Sequence, residues 1–199
     1  MVKVKICGLS RPDDIDAVNE EKPDYIGFVF AESRRKVSAQ QALKLRKKLS
    51  PNIIPVGVFV DETIENILSL TQDGIIDAIQ LHGSEDEEYI GKLKGLTGKP
   101  VIKTIAVQKE GDVQRIAANA ADYLLLDNVS GGSGKTFDWN LIGKTSKPFF
   151  LAGGLDVKNI TEAIAKTAPF AVDVSSGVET DGFKDYSKIK EFIRRARSV

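Results

Sequence analysis

Two hydrophobic patterns take turns along this chain. Short runs rich in Val, Ile, Leu and Phe recur at 2–6, 25–30, 55–60, 75–81, 100–105, 123–126, 149–152 and 170–174. Between them, apolar residues return at helical spacing. The alternation predicts about eight βα units. Ser10, Arg11, Pro12 and Asp13 open the first helix, which is expected to reach about Asn19, with proline in its first turn and acids near its positive end. Ser38 with Gln41 and Ser84 with Glu87 fit capping boxes, and Asp61 and Asp156 fit simple caps. Pro23, Pro55, Pro100, Pro148 and Pro169 stand where helices hand back to strands.

Eight units with no strand-only or helix-only block predict an α/β fold, a compact (β/α)8 TIM barrel forming a single domain over residues 1–199, with a flavodoxin-like open sheet as the structural alternative. Hydrophobic residues make up 42% of the 199, enough for one sizeable core. The 28 Lys and Arg balance the 28 Asp and Glu, so no overall field favours nucleic acid or an anionic membrane. No apolar run approaches the ~20 residues that span a bilayer, and no leader-like start is present, so a cytoplasmic protein is expected. One cysteine and one histidine allow neither an internal disulfide nor a Cys/His zinc set. Any substrate must therefore be recognised locally, and both a monomer and a homodimer stay open.

In a barrel, chemistry gathers at the C-terminal ends of the strands. There the sequence places Cys7, His82, Asp127 and Asp173. Alternation puts Lys3, Lys5 and Cys7 on one face of the first strand, and Tyr123, Leu125 and Asp127 on one face of the sixth. Cys7 reads either as a small buried core residue or as a thiolate base or nucleophile favoured by the lysines below it. The lysines themselves read as partners of inward acids, with a Schiff-base lysine as the sharper alternative. Asp127 reads as a helix cap or ion-pair partner, or as a general acid whose pKa is raised at the mouth of an apolar barrel, and the acid role is favoured. His82 reads equally as a hydrogen-bonded scaffold residue and as a proton carrier, and is taken as a substrate-binding or supporting residue.

Gly153-Gly154 and Ser175-Ser176-Gly177 follow the seventh and eighth strands. Two small-residue turns in those consecutive units predict a site for one phosphate monoester, with Asp173 ordering the loop beside it. The loop 129–136 ends in Gly-Lys-Thr but has Val129 where a P-loop needs glycine, so it reads as a lid beside Asp127 rather than a nucleotide site. The run Ser33-Arg34-Arg35-Lys36 is either a solvated basic face or a holder for an anionic group.

Taken together, KICG (5–8), GFVF (27–30), the S-x-R-x-V-S pattern (33–38), QLHG (80–83), LLD (125–127), GGSGKTFDW (131–139), LAGGL (151–155) and DVSSGVE (173–179) resemble the phosphoribosylanthranilate isomerase family nearly end to end. The resemblance implies a (β/α)8 barrel that catalyses an Amadori rearrangement without metal or organic cofactor. It implies Asp127 as the acid at the furanose ring oxygen and Cys7 as the base at C2′. It also implies Arg35 on the anthranilate carboxylate, and Gly153, Gly154, Ser175 and Ser176 on the phosphate. The chain departs from the family at Arg34 and Lys36, where proline and an aromatic residue are common, and at Asn128, where a small hydroxyl residue is common. Two alternatives stand beside this reading. One is a histidine-pathway or dual-specificity aminoaldose isomerase, which would need a second glycine-rich phosphate turn after the third strand. The other is a non-catalytic barrel that binds a phosphorylated ligand.

Overall fold

Strand β1 (Lys3–Cys7) pairs in parallel with both β2 (Tyr25–Val29) and β8 (Ala171–Val174), so the sheet closes on itself. Strands β3 (Ile54–Phe59), β4 (Ala78–Leu81), β5 (Val101–Ala106), β6 (Tyr123–Asp127) and β7 (Phe149–Leu151) complete a closed eight-stranded barrel in chain order. The computed structural model describes residues 1–113, 120–128 and 136–199. Helices α1 (Pro12–Glu21), α2 (Ala39–Arg46), α3 (Ile64–Gln72), α4 (Glu87–Thr97), α5 (Ile160–Thr167) and α6 (Tyr186–Ala196) are among the described elements. This is the (β/α)8 barrel that the alternation predicts, and not the open sheet.

Strand alternation sets what fills the cylinder. Tyr25, Val56, Ala78, Ile102, Leu125, Phe150 and Ala171 point inward and pack together, while Leu124 and Leu126 join the larger core between strands and helices. Phe150 meets Tyr25, Tyr123 and Phe170 edge-on, with centroids 5.4 to 5.7 Å apart, and these rings plug the N-terminal end. Above this plug the lining turns polar, with Lys5, Gln80 and Asp173 all buried. This polar lining leads to the other mouth.

Several helix starts differ from expectation. Ser38 accepts the N–H of Gln41, but the Gln41 side chain donates to the Ser10 carbonyl instead of closing a capping box. Asp86, and not Ser84, caps α4 through the N–H of Tyr89. Thr63 caps α3. Ser84 and Asp61 bond each other instead: the serine N–H and hydroxyl both donate to Asp61, tying the loop after β4 to the loop after β3. Asp156 accepts from Lys158 and Asn159, one turn ahead of α5. At α1 it is Asp14 that takes the N–H groups of Ser10 and Arg11. Short polar side chains satisfy whichever backbone donor the tertiary fold brings near, and local spacing alone does not choose among them. No described helix is long and apolar enough to cross a membrane.

Candidate active site

A cavity of about 500 Å³ opens at the C-terminal mouth, lined among others by Cys7, Arg35, Gln80, His82, Asp127, Asp173 and Ser175. Cys7 ends β1 facing inward and is paired in register with Gly27 on β2. A Cβ at Gly27 would stand 2.6 Å from the Cys7 sulfur, so this glycine is what leaves the thiol its room. Burial raises the thiol pKa, and the Lys5 ammonium below it pulls the other way without overcoming that rise.

Lys5 is fully buried, with its Nζ 2.9 Å from Asp173 Oδ1 on β8. Burial alone would lower its pKa, but Asp173 and Cys7 outweigh burial and hold it above the ordinary value. An ammonium so held is no Schiff-base nucleophile. Lys3 departs from the expected pairing: its Nζ lies over the Tyr25 and Phe170 rings, 5.7 and 5.5 Å from their centroids. Lys5→Met is expected to destabilise the fold by about 3–5 kcal/mol, because it leaves the Asp173 carboxylate buried without its partner. Denaturant unfolding checks this, and a loss under ~1 kcal/mol would show the pair to be dispensable.

Across the mouth, Asp127 ends β6. Its Oδ1 accepts the N–H of Asn128 at 2.7 Å, and its Oδ2 lies 3.8 Å from His82 Nε2. Burial raises the Asp127 carboxyl and lowers the His82 imidazole, so both favour the neutral form. Thiol, carboxyl and imidazole therefore share one rim, as the strand ends suggested.

The turns after β7 and β8 are built against each other. Gly153 and Gly154 have φ of 80° and 64°, in the region that favours glycine. A Cβ at Gly177 would fall 1.9 Å from the Leu155 carbonyl oxygen, so only glycine permits this approach. Ser175 donates its hydroxyl to the Cys7 carbonyl at 3.0 Å, and Lys184 donates to the Ser175 carbonyl at 2.9 Å. Ser176 opens a short 3-10 turn, Ser176–Val178. A Cβ at Gly153 would lie 3.0 Å from Asp127 Oδ1, which places this glycine turn next to the carboxyl.

Residues 4–195 match the family model described as N-(5'phosphoribosyl)anthranilate (PRA) isomerase. The chain belongs to the phosphoribosylanthranilate isomerase family. It is 50% identical over 203 residues to the N-(5'-phosphoribosyl)anthranilate isomerase of Endomicrobium trichonymphae, covering 100% of both chains. A solved phosphoribosyl anthranilate isomerase in complex with reduced 1-(o-carboxyphenylamino)-1-deoxyribulose 5-phosphate matches with a TM-score of 0.89 at 38% identity, over 100% of each chain. A structure of monomers of the dimeric phosphoribosylanthranilate isomerase from Thermotoga maritima matches with a TM-score of 0.89 at 39% identity, again over 100% of each.

The basic run after β2 is organised and not merely solvated. Arg35 gives its Nε and Nη2 to the two oxygens of Glu179, at 2.7 and 2.9 Å. Glu179 is buried and also receives Arg34 and Lys184. Lys36 pairs with Glu32. Sequence reasoning missed Glu179 and Lys184, which come from the hairpin formed by β9 (Glu179–Thr180) and β10 (Phe183–Lys184). The available signal was an acid closing a motif of otherwise small residues. It also missed Gln80 and Thr104, whose side chains flank His82 Nδ1 at 3.3 Å each. Of the loop read as a lid, 129–136, residues 129–135 lie outside the described residues.

Proposed function

We propose that this chain is an N-(5'-phosphoribosyl)anthranilate isomerase, converting its aminoaldose substrate to 1-(2-carboxyphenylamino)-1-deoxyribulose 5-phosphate in tryptophan biosynthesis. The observation that carries the reading is an inward thiol and a half-buried carboxyl on one rim, beside paired glycine turns. Asp127 protonates the furanose ring oxygen, the C1′–O bond breaks, and the anilino nitrogen takes up the positive charge as a Schiff base. That cation acidifies C2′, so the Cys7 thiolate can remove the C2′ proton and leave an enol, which tautomerises to the ketone. No covalent bond to the enzyme forms.

Gly153, Gly154, Ser175 and Ser176 hold the phosphate through backbone amides and the Ser176 hydroxyl, the Ser175 hydroxyl being committed to the Cys7 carbonyl. Arg35 binds the anthranilate carboxylate with the donors that Glu179 leaves free. Asp173 holds Lys5 beneath the thiol, and His82 supports Asp127. A substrate with a second phosphate suits the site less well. After β3 comes no glycine-rich turn but Val60 and then Asp61 and Glu62, and the carboxylates of these two acids would repel a second dianion there.

Purified protein supplied with freshly made phosphoribosylanthranilate, and in parallel with the histidine-pathway aminoaldose, is expected to turn over the first. Turnover of the histidine-pathway substrate alone would overturn the assignment. Tight binding of phosphoribosylanthranilate with no product would favour the non-catalytic barrel.

A further inference from the structure

His82 sits on the rim without a step of its own, and its surroundings are specific. On the Nδ1 side, Gln80 Nε2 and Thr104 Oγ1 each approach to 3.3 Å, and Gln80 Nε2 is 3.5 Å from Thr104 Oγ1. On the Nε2 side stands Asp127 Oδ2, 3.8 Å away. We infer that Gln80 and Thr104 hold His82 as a neutral imidazole with its proton on Nε2, so that the ring cannot take the Asp127 proton. This inference rests on Asp127 being the acid of the proposed reaction.

The amide orientation decides the tautomer. Gln80 is 2% exposed, and with its NH2 group toward His82 only its Oε1 is left without a partner among the described residues. The opposite orientation would strand two N–H donors in the same buried place, the costlier arrangement. Gln80 therefore donates, Thr104 adds its own hydroxyl proton, and the Nδ1 lone pair accepts. The ring's one proton is left on Nε2.

The consequence reaches Asp127. A ring protonated on Nδ1 would turn the Nε2 lone pair toward Asp127 Oδ2 and draw off the proton meant for the substrate. A ring protonated on Nε2 has no such lone pair, and the carboxyl keeps its proton. The charged groups that act on His82 are Asp127, Asp173, Lys5 and Lys103; burial, aided by the two lysines, outweighs the two aspartates and favours the uncharged ring. Gln80 and Thr104 are thus positioning residues that act through His82.

The chain has a single histidine, so ¹⁵N-histidine NMR of the whole protein reads one ring without assignment. Near neutral pH the wild type is expected to show a protonated Nε2 and an unprotonated Nδ1. Gln80→Glu puts an acceptor beside Nδ1 and is expected to move the proton there. It should lower kcat by about tenfold or more and leave KM within roughly twofold. Thr104→Val is expected to shift the tautomer balance the same way by a smaller amount. A wild-type ring protonated on Nδ1 or doubly protonated would overturn the inference, as would Gln80→Glu retaining both the Nε2 proton and wild-type kcat. If Gln80→Glu does not fold, the wild-type and Thr104→Val spectra still decide. Failure of the acid reading is separate: Asp127→Asn would then keep its kcat, whatever the ring spectrum shows.

Discussion

Cys7→Ala is expected to lower kcat for phosphoribosylanthranilate by about 10²–10⁴-fold, the range spanned by loss of a positioned base. KM should change little, because the thiol acts on the C2′ proton and the substrate's charged ends are held elsewhere on the rim. In the proposed mechanism the productive state pairs a thiolate with a carboxylic acid. The kcat profile of the wild type is therefore bell-shaped, falling at low pH where both groups are protonated and at high pH where both are ionised. Burial of Cys7 places the alkaline limb above the ordinary thiol value of about 8.5. Steady-state kinetics over pH check both statements. Wild-type kcat in Cys7→Ala, or a Cys7 adduct trapped with natural substrate and seen by mass spectrometry, would count against the base assignment.

Asp127→Asn is expected to lose about 10²–10⁴ in kcat as well, yet to make the protein more stable at neutral pH. The carboxyl pKa is raised in the native state, chiefly by burial, so the native chain binds this proton more tightly than the unfolded chain does. Stability from this group therefore falls as pH rises from the ordinary carboxylate value of about 3.9 through the raised one, and stays reduced above it. Asparagine carries no such penalty, and its amide oxygen can still accept the Asn128 N–H. Thermal unfolding near pH 7 and again near pH 3 checks the sign: the variant's advantage should shrink at the lower pH. An equal advantage at both would show that the carboxyl's ionisation is not its source.

Asp127 and Cys7 were legible in the sequence because strand alternation is a local property. Each residue's face follows from its immediate neighbours, and the barrel topology then brings the faces to one mouth. The same logic foresaw that Lys5 points inward toward an acid. It did not foresee Gly27, because the need for a glycine there arises from Cys7 on the adjacent strand. Nor did it foresee that Glu179 would occupy one edge of Arg35, since that contact joins segments far apart in the chain and leaves no periodic trace. The misplaced caps at Ser84 and Asp61 have a similar origin. Each is a sound local donor or acceptor, recruited instead by its neighbour across a loop.

The pairing of β1 with β8 brings the first and last strands of the barrel together, and the bonds that cross this seam belong to the site. Lys5 reaches Asp173, and Ser175 reaches the Cys7 carbonyl. A chain still emerging from the ribosome could already hold Cys7, Arg35, His82 and Asp127 and yet have an open cylinder, no counter-charge for Lys5 and no turn after β8. On the proposed mechanism, competence is thus tied to the last part of synthesis, and a truncation before β8 is expected to remove activity while sparing Cys7 and Asp127.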